Sequence, residues 1–251
     1  RLPKHVDWRL ENDPNDPDMG RAGAPFGRNK PLNELKCGPL PGDPDPREVS
    51  RRLMTRKEFK PATIVNNLAM TWIQFQVHDW VQHGRDAKRP IVLPPQPGDP
   101  SGKKLELEGT ETVPAENRAP GSPGPGPGSQ HPPVFVNKGT HWWDGSQIYG
   151  SSAERLAELR SGKDGKLRVE ADGLLPIDPS HASPDGQTGI DLTGRNDNYW
   201  LGLSMMHTLF SLEHNAIAER LKAEYPSLDD DALFDKARLV NAALIAKIHT
   251  V

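Results

Sequence analysis

Two short stretches carry residue types and spacings that can do chemistry. The first is Trp72-Ile73-Gln74-Phe75-Gln76-Val77-His78-Asp79-Trp80. On a helix, Gln74 and His78 are four residues apart and share a face, while Asp79 points about 100° away. An imidazole placed beside a bound peroxide can take its proton and return it to the leaving oxygen, and a nearby amide can orient the same molecule. A single histidine on an apolar helix is also, and more commonly, a hydrogen-bonded core residue. The second stretch is Thr140-His141-Trp142-Trp143-Asp144-Gly145-Ser146. Oxygens of Thr140, Asp144 and Ser146, with the carbonyl of Trp142, can surround one hard cation, and Asp79 can add a carboxylate from the helix carrying His78. Calcium takes about 6–8 such oxygens. Taken alone, the same stretch is better read as an Asx-type turn in an aromatic loop.

These residues need elements to hold them. A helix is predicted from Pro61 to just before Gly84, because proline suits the first helical turn and glycine the position past its end. Ile64, Leu68, Ile73 and Val77 form its apolar stripe. Ser152 caps a short helix ending near Gly162, and 166–177 turn at Asp172-Gly173. A long helix is expected from about Trp200 to Glu224, stopped by Pro226. A second follows with Ser227 as N-cap and the stripe Leu233, Ala237, Val240, Leu244, Ile248 and Val251. That stripe is still in phase at Val251, so the chain is expected to be part of a larger protein.

Residues 1–50, rich in Pro, Gly, Asp and Asn, read as an irregular arm, and 51–251 as one domain interrupted by a Pro/Gly-rich loop over 90–133. Bulk properties narrow the function. Of 251 residues, 34% are hydrophobic and the net charge is −3. Nothing there favours nucleic acid or an anionic membrane. Cys37 is the one cysteine, so no internal disulfide forms. No apolar run is long enough for a transmembrane helix. A reducing, cytoplasmic setting is slightly favoured over secretion. The first residue is Arg1, so a leader peptide would not be visible.

Together, Gln74-x-x-x-His78-Asp79 and Thr140-x-Trp142-x-Asp144-x-Ser146 resemble the distal helix and calcium loop of the animal-type haem peroxidase superfamily. The texture is most similar to the fatty-acid α-dioxygenases and their bacterial relatives. Met206-His207-Thr208-Leu209-Phe210, Glu213-His214-Asn215 and Ala237-Arg238-Leu239-Val240 extend the resemblance, which covers roughly 47–251 outside the Pro/Gly loop. It implies a mainly α, haem peroxidase-like domain with long irregular loops. It implies His78 as distal histidine, Gln74 as its partner, and Asp79, Thr140, Trp142, Asp144 and Ser146 as calcium ligands. Arg195 is the candidate distal arginine. Val77, Asn198 and Tyr199 stand where covalently linked members carry acids, so haem b is expected to be held non-covalently. Hydrogen peroxide or dioxygen, with a fatty acid, are the implied substrates. The proximal histidine is expected in a second chain or in a further C-terminal part, and His249 is read as a pocket or packing residue. His207 and His214 are read as hydrogen-bonded core histidines. The alternative is a calcium-stabilised, non-catalytic scaffold or haem-binding subunit.

Overall fold

The computed structural model describes residues 20, 22–24, 44–95, 102–112, 135–140, 142–184, 186 and 188–250. Most of the expected arm and much of the Pro/Gly-rich loop lie outside these residues. The chain divides into two compact units, one drawn from Arg1–Thr63 and His83–Lys138, the other from Ile64–Gln82 and Gly139–Val251. Every candidate site residue belongs to the second.

In the first unit, helix α1 (Pro46–Val49) starts where the Asp45 carboxylate accepts the Arg47 N–H, and runs into a wide π-type turn over Ser50–Met54. The segment is therefore helical where an irregular arm was expected. Strand β1 (Arg85–Leu93) pairs antiparallel with β2 (Leu105–Thr110), with the register shifting between Asp86 and Ile91. The shift spans Pro90, which has no N–H to give a ladder. These strands occupy part of the stretch predicted to be loop. Their composition hid them, because proline at an irregularity is compatible with a two-stranded ribbon.

The second unit is helical. Helix α2 (Asn67–Trp80) begins at Asn66, whose side chain accepts the Leu68 N–H. Asn66 sets the start, not Pro61, because its oxygen satisfies a first-turn N–H that proline leaves unpaired. The predicted stripe is a correction: Ile64 is 93% exposed, and Leu68, Ile73 and Val77 are also exposed. The inward face carries Thr71, Phe75, Gln76, His78 and Asp79. Of its polar groups, Asp79 is partnered by Ser146 from another segment and Thr71 by the Asn67 carbonyl of its own helix, while the Gln76 amide and His78 Nδ1 are enclosed without a partner.

Helices α3 (Ser146–Tyr149) and α4 (Ala153–Leu159) follow, the latter capped by Ser152 as expected. The Asp172-Gly173 stretch makes a turn, with the Glu170 N–H donating to Leu174 O and Gly173 N–H to Glu170 O. Helix α5 (Leu201–Glu224) and helix α6 (Asp230–Thr250) complete the unit. Asp229, rather than Ser227, caps α6, accepting the Ala232 N–H at 2.8 Å. The buried face of α6 is Leu233, Phe234, Ala237, Asn241, Ala242 and Ile245, so it is rotated from the predicted stripe; Val240 and Ile248 are exposed. Asn241, a polar residue at its centre, is what displaced the reading. Phe75 of α2 stacks on Phe210 of α5 at 5.4 Å, at the centre of a core with Tyr149, Leu203, Phe234 and Ile245. Each such side chain contributes about 1.5–3 kcal/mol by leaving water. That core fixes where α2 points its polar face.

Candidate functional site

His78 and Asp79 sit at the C-terminal end of α2, both buried. His78 has its Nδ1 enclosed without a hydrogen-bond partner, whereas its Nε2 is not among the enclosed, unpartnered atoms. Burial, reinforced by the Arg195 charge, lowers the His78 pKa to about 4. The imidazole is therefore neutral near pH 7 and can accept a proton. Gln74 lies one turn earlier. Its amide Nε2 donates to the Asn198 carbonyl at 3.2 Å, and its Oε1 accepts from Trp200 Nε1 at 2.8 Å. These bonds set the orientation of the amide. Beside Gln74 and His78, the α2 surface offers Met70, Ile73 and Val77, all exposed and apolar. An apolar strip flanking an imidazole and an amide fits the face of a flat, mostly apolar macrocycle such as haem.

Asp79 points away from that strip, toward the 140–146 loop. Its Oδ1 accepts from the Ser146 N–H at 2.8 Å and from Ser146 Oγ at 3.0 Å. Asp144 Oδ1 accepts from Thr140 Oγ1 at 2.7 Å and from the Ser146 N–H at 3.2 Å. Gly145 makes this convergence available: at φ +72° it reverses the chain, and a Cβ there would press on the Tyr149 ring. Thr140, Asp144, Ser146 and Asp79 are thus brought together as expected. The Trp142 ring is half exposed, so only its main chain is available to the cluster. His141 lies outside the described residues.

Two carboxylates this close need a counter-charge. Burial, and then the charge of Asp144, raises the Asp79 pKa to about 7, against the lowering effect of Ser146. Arg238 of α6 gives partial relief, with Nη2 3.2 Å from Asp144 Oδ2. No group of three or more His, Cys, Asp and Glu side chains suited to a metal occurs among the described residues. The donors are instead two carboxylates, two hydroxyls and nearby carbonyls, an all-oxygen set that fits calcium better than zinc.

Arg195 lies where the 194–195 backbone crosses α3. A Cβ on Gly194 would collide with the Gly150 nitrogen and the Ser146 and Gln147 carbonyls, and the Arg195 N–H donates to Gln147 O at 3.0 Å. The Arg195 guanidinium donates to the carbonyls of His78 at 3.1 Å and Val81 at 2.6 Å and contacts Asp197 at 3.2 Å. Its link to His78 thus runs through main-chain atoms at the end of α2. Near that end, His249 accepts from Trp72 Nε1 at 3.1 Å and packs against the rings of Trp72, Trp80 and Trp143, as a packing residue would.

Sequence spacing assigned no role to Arg238, Asn241 or Tyr149. Asn241 Nδ2 donates to Tyr149 Oη at 2.9 Å and to Phe210 O at 3.0 Å, and Tyr149 Oη meets His214 Nδ1 at 3.0 Å. His214 Nε2 is 2.8 Å from Gly165 O, so His214 is a hydrogen-bonded core histidine as expected. The same expectation for His207 is corrected: it is buried, but the rings of Phe75 and Tyr199 pack against it and neither ring nitrogen has a hydrogen-bond partner. Only the second turn of Ala237-Arg238-Leu239-Val240, with Asn241 next to it, could have hinted at this network.

A sequence model described as animal haem peroxidase matches residues 10–251. The chain belongs to the animal haem peroxidase family. Among relatives, it is 37% identical over 244 residues to alpha-dioxygenase 2 of Arabidopsis thaliana, covering 96% of this chain and 35% of that protein. It is 36% identical over 258 residues to alpha-dioxygenase PIOX of Oryza sativa subsp. japonica, covering 99% and 38%. A variant of the Oryza sativa fatty acid alpha-dioxygenase, solved with palmitic acid, superposes with a TM-score of 0.75 at 34% identity, covering 97% of this chain and 38% of that one. These relatives are plant proteins, whereas the sequence resemblance had extended to bacterial ones. The chain spans a little over a third of their length. Within this haem peroxidase family, the observed mainly helical unit is the fold that the sequence resemblance implied.

Proposed function

We propose that this chain is the distal, histidine-bearing part of a haem-dependent oxidoreductase of the fatty-acid α-dioxygenase type. One observation carries the reading: a buried, neutral His78 beside an exposed apolar strip, on the helix whose next residue, Asp79, is tied to the 140–146 loop. The solved relative with palmitic acid suggests a long-chain fatty acid as substrate. Haem b would lie on the Met70–Val77 side, held without a covalent link because Val77, Asn198 and Tyr199 offer no carboxylate.

A bound haem would supply the oxidising chemistry with peroxide or dioxygen. The chain's own residues do the rest. Nε2 of His78 accepts a proton and returns it. Gln74, fixed by Asn198 and Trp200, holds its amide next to that imidazole. Arg195 holds the carbonyl end of α2 and so acts on His78 through the backbone. Asp79, Asp144, Thr140, Ser146 and the Trp142 carbonyl would hold calcium, which fixes Asp79 and with it the residue before it. The histidine that would bind the haem iron would come from a further part of the polypeptide or from a second chain.

Oxygen uptake by the haem-loaded, calcium-loaded protein tests the reading. Palmitate is expected to start uptake, and His78→Ala to stop it. Turnover of hydrogen peroxide with an aromatic donor, without palmitate-dependent oxygen uptake, would replace the dioxygenase reading with a peroxidase one.

A further inference from the structure

Two residues at the start of α5 act on the site without their side chains. Asn198 is one of two non-glycine residues with positive φ among those described, at +48°. An L side chain adopts that left-handed conformation at a cost, which is least for Asn and Asp. The Asn198 carbonyl is the group that accepts from Gln74 Nε2 at 3.2 Å, whereas its side chain is exposed. The chain just beyond it is anchored, because Tyr199 Oη and Ser204 Oγ both donate to the Asp191 carboxylate, at 2.8 and 2.5 Å. Gly202, buried in the first turn of α5, is the second residue. A Cβ there would meet Cη2 and Cζ2 of Trp200 at 2.5 and 2.6 Å, and Thr71 Oγ1 of α2 at 2.6 Å. The indole that donates to Gln74 Oε1 at 2.8 Å thus lies in the space that a side chain at 202 would take.

We propose that Asn198, through its left-handed backbone, and Gly202, through its missing Cβ, are positioning residues that lock the Gln74 amide in one of its two polarities. The nitrogen end is held toward residue 198 and the oxygen end toward residue 200. The proposal rests on the reading of Gln74 as the amide beside His78. The two ends of a side-chain amide have nearly the same shape, but one donates and the other accepts. Turned over, the Gln74 amide would set its oxygen against the Asn198 carbonyl and its NH2 against the Trp200 N–H. Neither contact is a hydrogen bond, so both bonds would be lost at once. The lock needs the carbonyl at 198 to face α2, which the positive φ provides, and the indole to lie flat over position 202, which the glycine allows. A small ligand beside His78 then meets one amide polarity rather than a mixture of two.

Hydrogen exchange followed by nuclear magnetic resonance in the haem-free protein reads both ends of the lock, through the Trp200 indole N–H and the Gln74 Nε2 hydrogens. Gly202→Ala is expected to speed indole exchange by roughly fivefold, the worth of one net hydrogen bond, although alanine is the better helix former. Asn198→Gly, which accepts a positive φ, should leave the Gln74 amide as in the parent. Asn198→Val, whose branched side chain rejects that conformation, should speed its exchange by a similar factor. Where Asn198→Val prevents folding, Asn198→Ala takes its place; where Gly202→Ala does, Trp200→Phe is read on the Gln74 amide. In the haem-loaded ferrous protein, the stretching band of added carbon monoxide reports the polarity around it. One band is expected for the parent and Asn198→Gly, and two for Asn198→Val and Gly202→Ala. Indole exchange indifferent to Gly202→Ala, or Asn198→Gly and Asn198→Val behaving alike, overturns the proposal. A lock that follows both positions while the carbon monoxide band ignores them supports the positioning contacts and counts against the placing of Gln74 over haem instead.

Discussion

His78, His207 and His214 are all buried in the helical unit, and burial is the first cause that lowers each pKa, to about 4, 3 and 4 respectively. In the unfolded chain a histidine titrates near 6.5. Between those values the unfolded state binds more protons than the folded one. The stability contributed by keeping these rings neutral is therefore fully present above about pH 6.5 and is lost as pH falls toward 4. Asp79 works in the opposite direction: its raised pKa means that the folded, ion-free protein binds more protons up to about pH 7. With calcium saturating, that opposing contribution is removed. Urea midpoints at pH 7 and pH 5, in calcium, should then differ, corresponding to about 2 kcal/mol of unfolding free energy for each buried histidine. Equal midpoints would show that these rings are not buried as described. At this scale the sequence was informative where the clustered residues lie close together along the chain. Thr140, Asp144 and Ser146 fall in one loop whose spacing states its own geometry. The roles of Arg238 and Asn241 were not legible, because their partners, Asp144 and Tyr149, arrive from distant segments only once the core has formed.

The boundaries of α5 and α6 were legible to within a turn, the start of α2 lay six residues beyond the expected Pro61, and faces were less legible still. Asn66 and Asp229 displaced Pro61 and Ser227 because a side-chain oxygen that reaches a first-turn N–H outweighs a residue merely compatible with the turn. On α2 the apolar residues were taken to mark the inside, yet the inside is where His78, Asp79 and Gln76 lie. A hydrophobic pattern reports burial only when the burying partner is within the same unit; for α2 the apolar strip is exposed, and on the proposed reading a ligand would cover it. The coupling of α2 to the 140–146 loop gives a prediction at this scale. Calcium must displace a proton from Asp79 below about pH 7, so the drop in melting temperature caused by a strong chelator should be larger at pH 8 than at pH 6. Asp144→Ala should abolish most of the difference, and a chelator without effect at either pH would remove the ion. The 190–196 segment carries a second prediction. Asp178 is buried and accepts from Arg155 Nη2 at 2.6 Å, Asn196 Nδ2 at 3.0 Å and the Ser180 N–H at 2.9 Å. Burial alone would raise its pKa, but Ser180 and Arg155 outweigh burial and hold it low. Asp178→Ala leaves the Arg155 cation without that partner and should cost about 3 kcal/mol in urea unfolding. A loss below about 1 kcal/mol would show that the network does not anchor the segment bearing Arg195.

For the whole molecule, the family was legible from two motifs because each states a role in a fixed order along the chain, whereas the ribbon β1–β2 was hidden within a proline-rich composition. The chain spans a little over a third of the length of its dioxygenase relatives. The exposed apolar residues of α5, Leu201, Met205, Leu209 and Leu212, recur at helical spacing and match a chain that is part of a larger core. Haem held only by contacts should leave the polypeptide on extraction with acidified acetone; pigment retained by the protein would reveal a covalent bond that Val77, Asn198 and Tyr199 cannot make. The central claim, that His78 handles protons over a haem, is tested most directly by stopped-flow mixing of the haem-loaded protein with hydrogen peroxide. The account predicts that His78→Ala keeps the Soret band and slows the spectral change by roughly 10²–10⁴-fold. A variant reacting at the parent rate would contradict it.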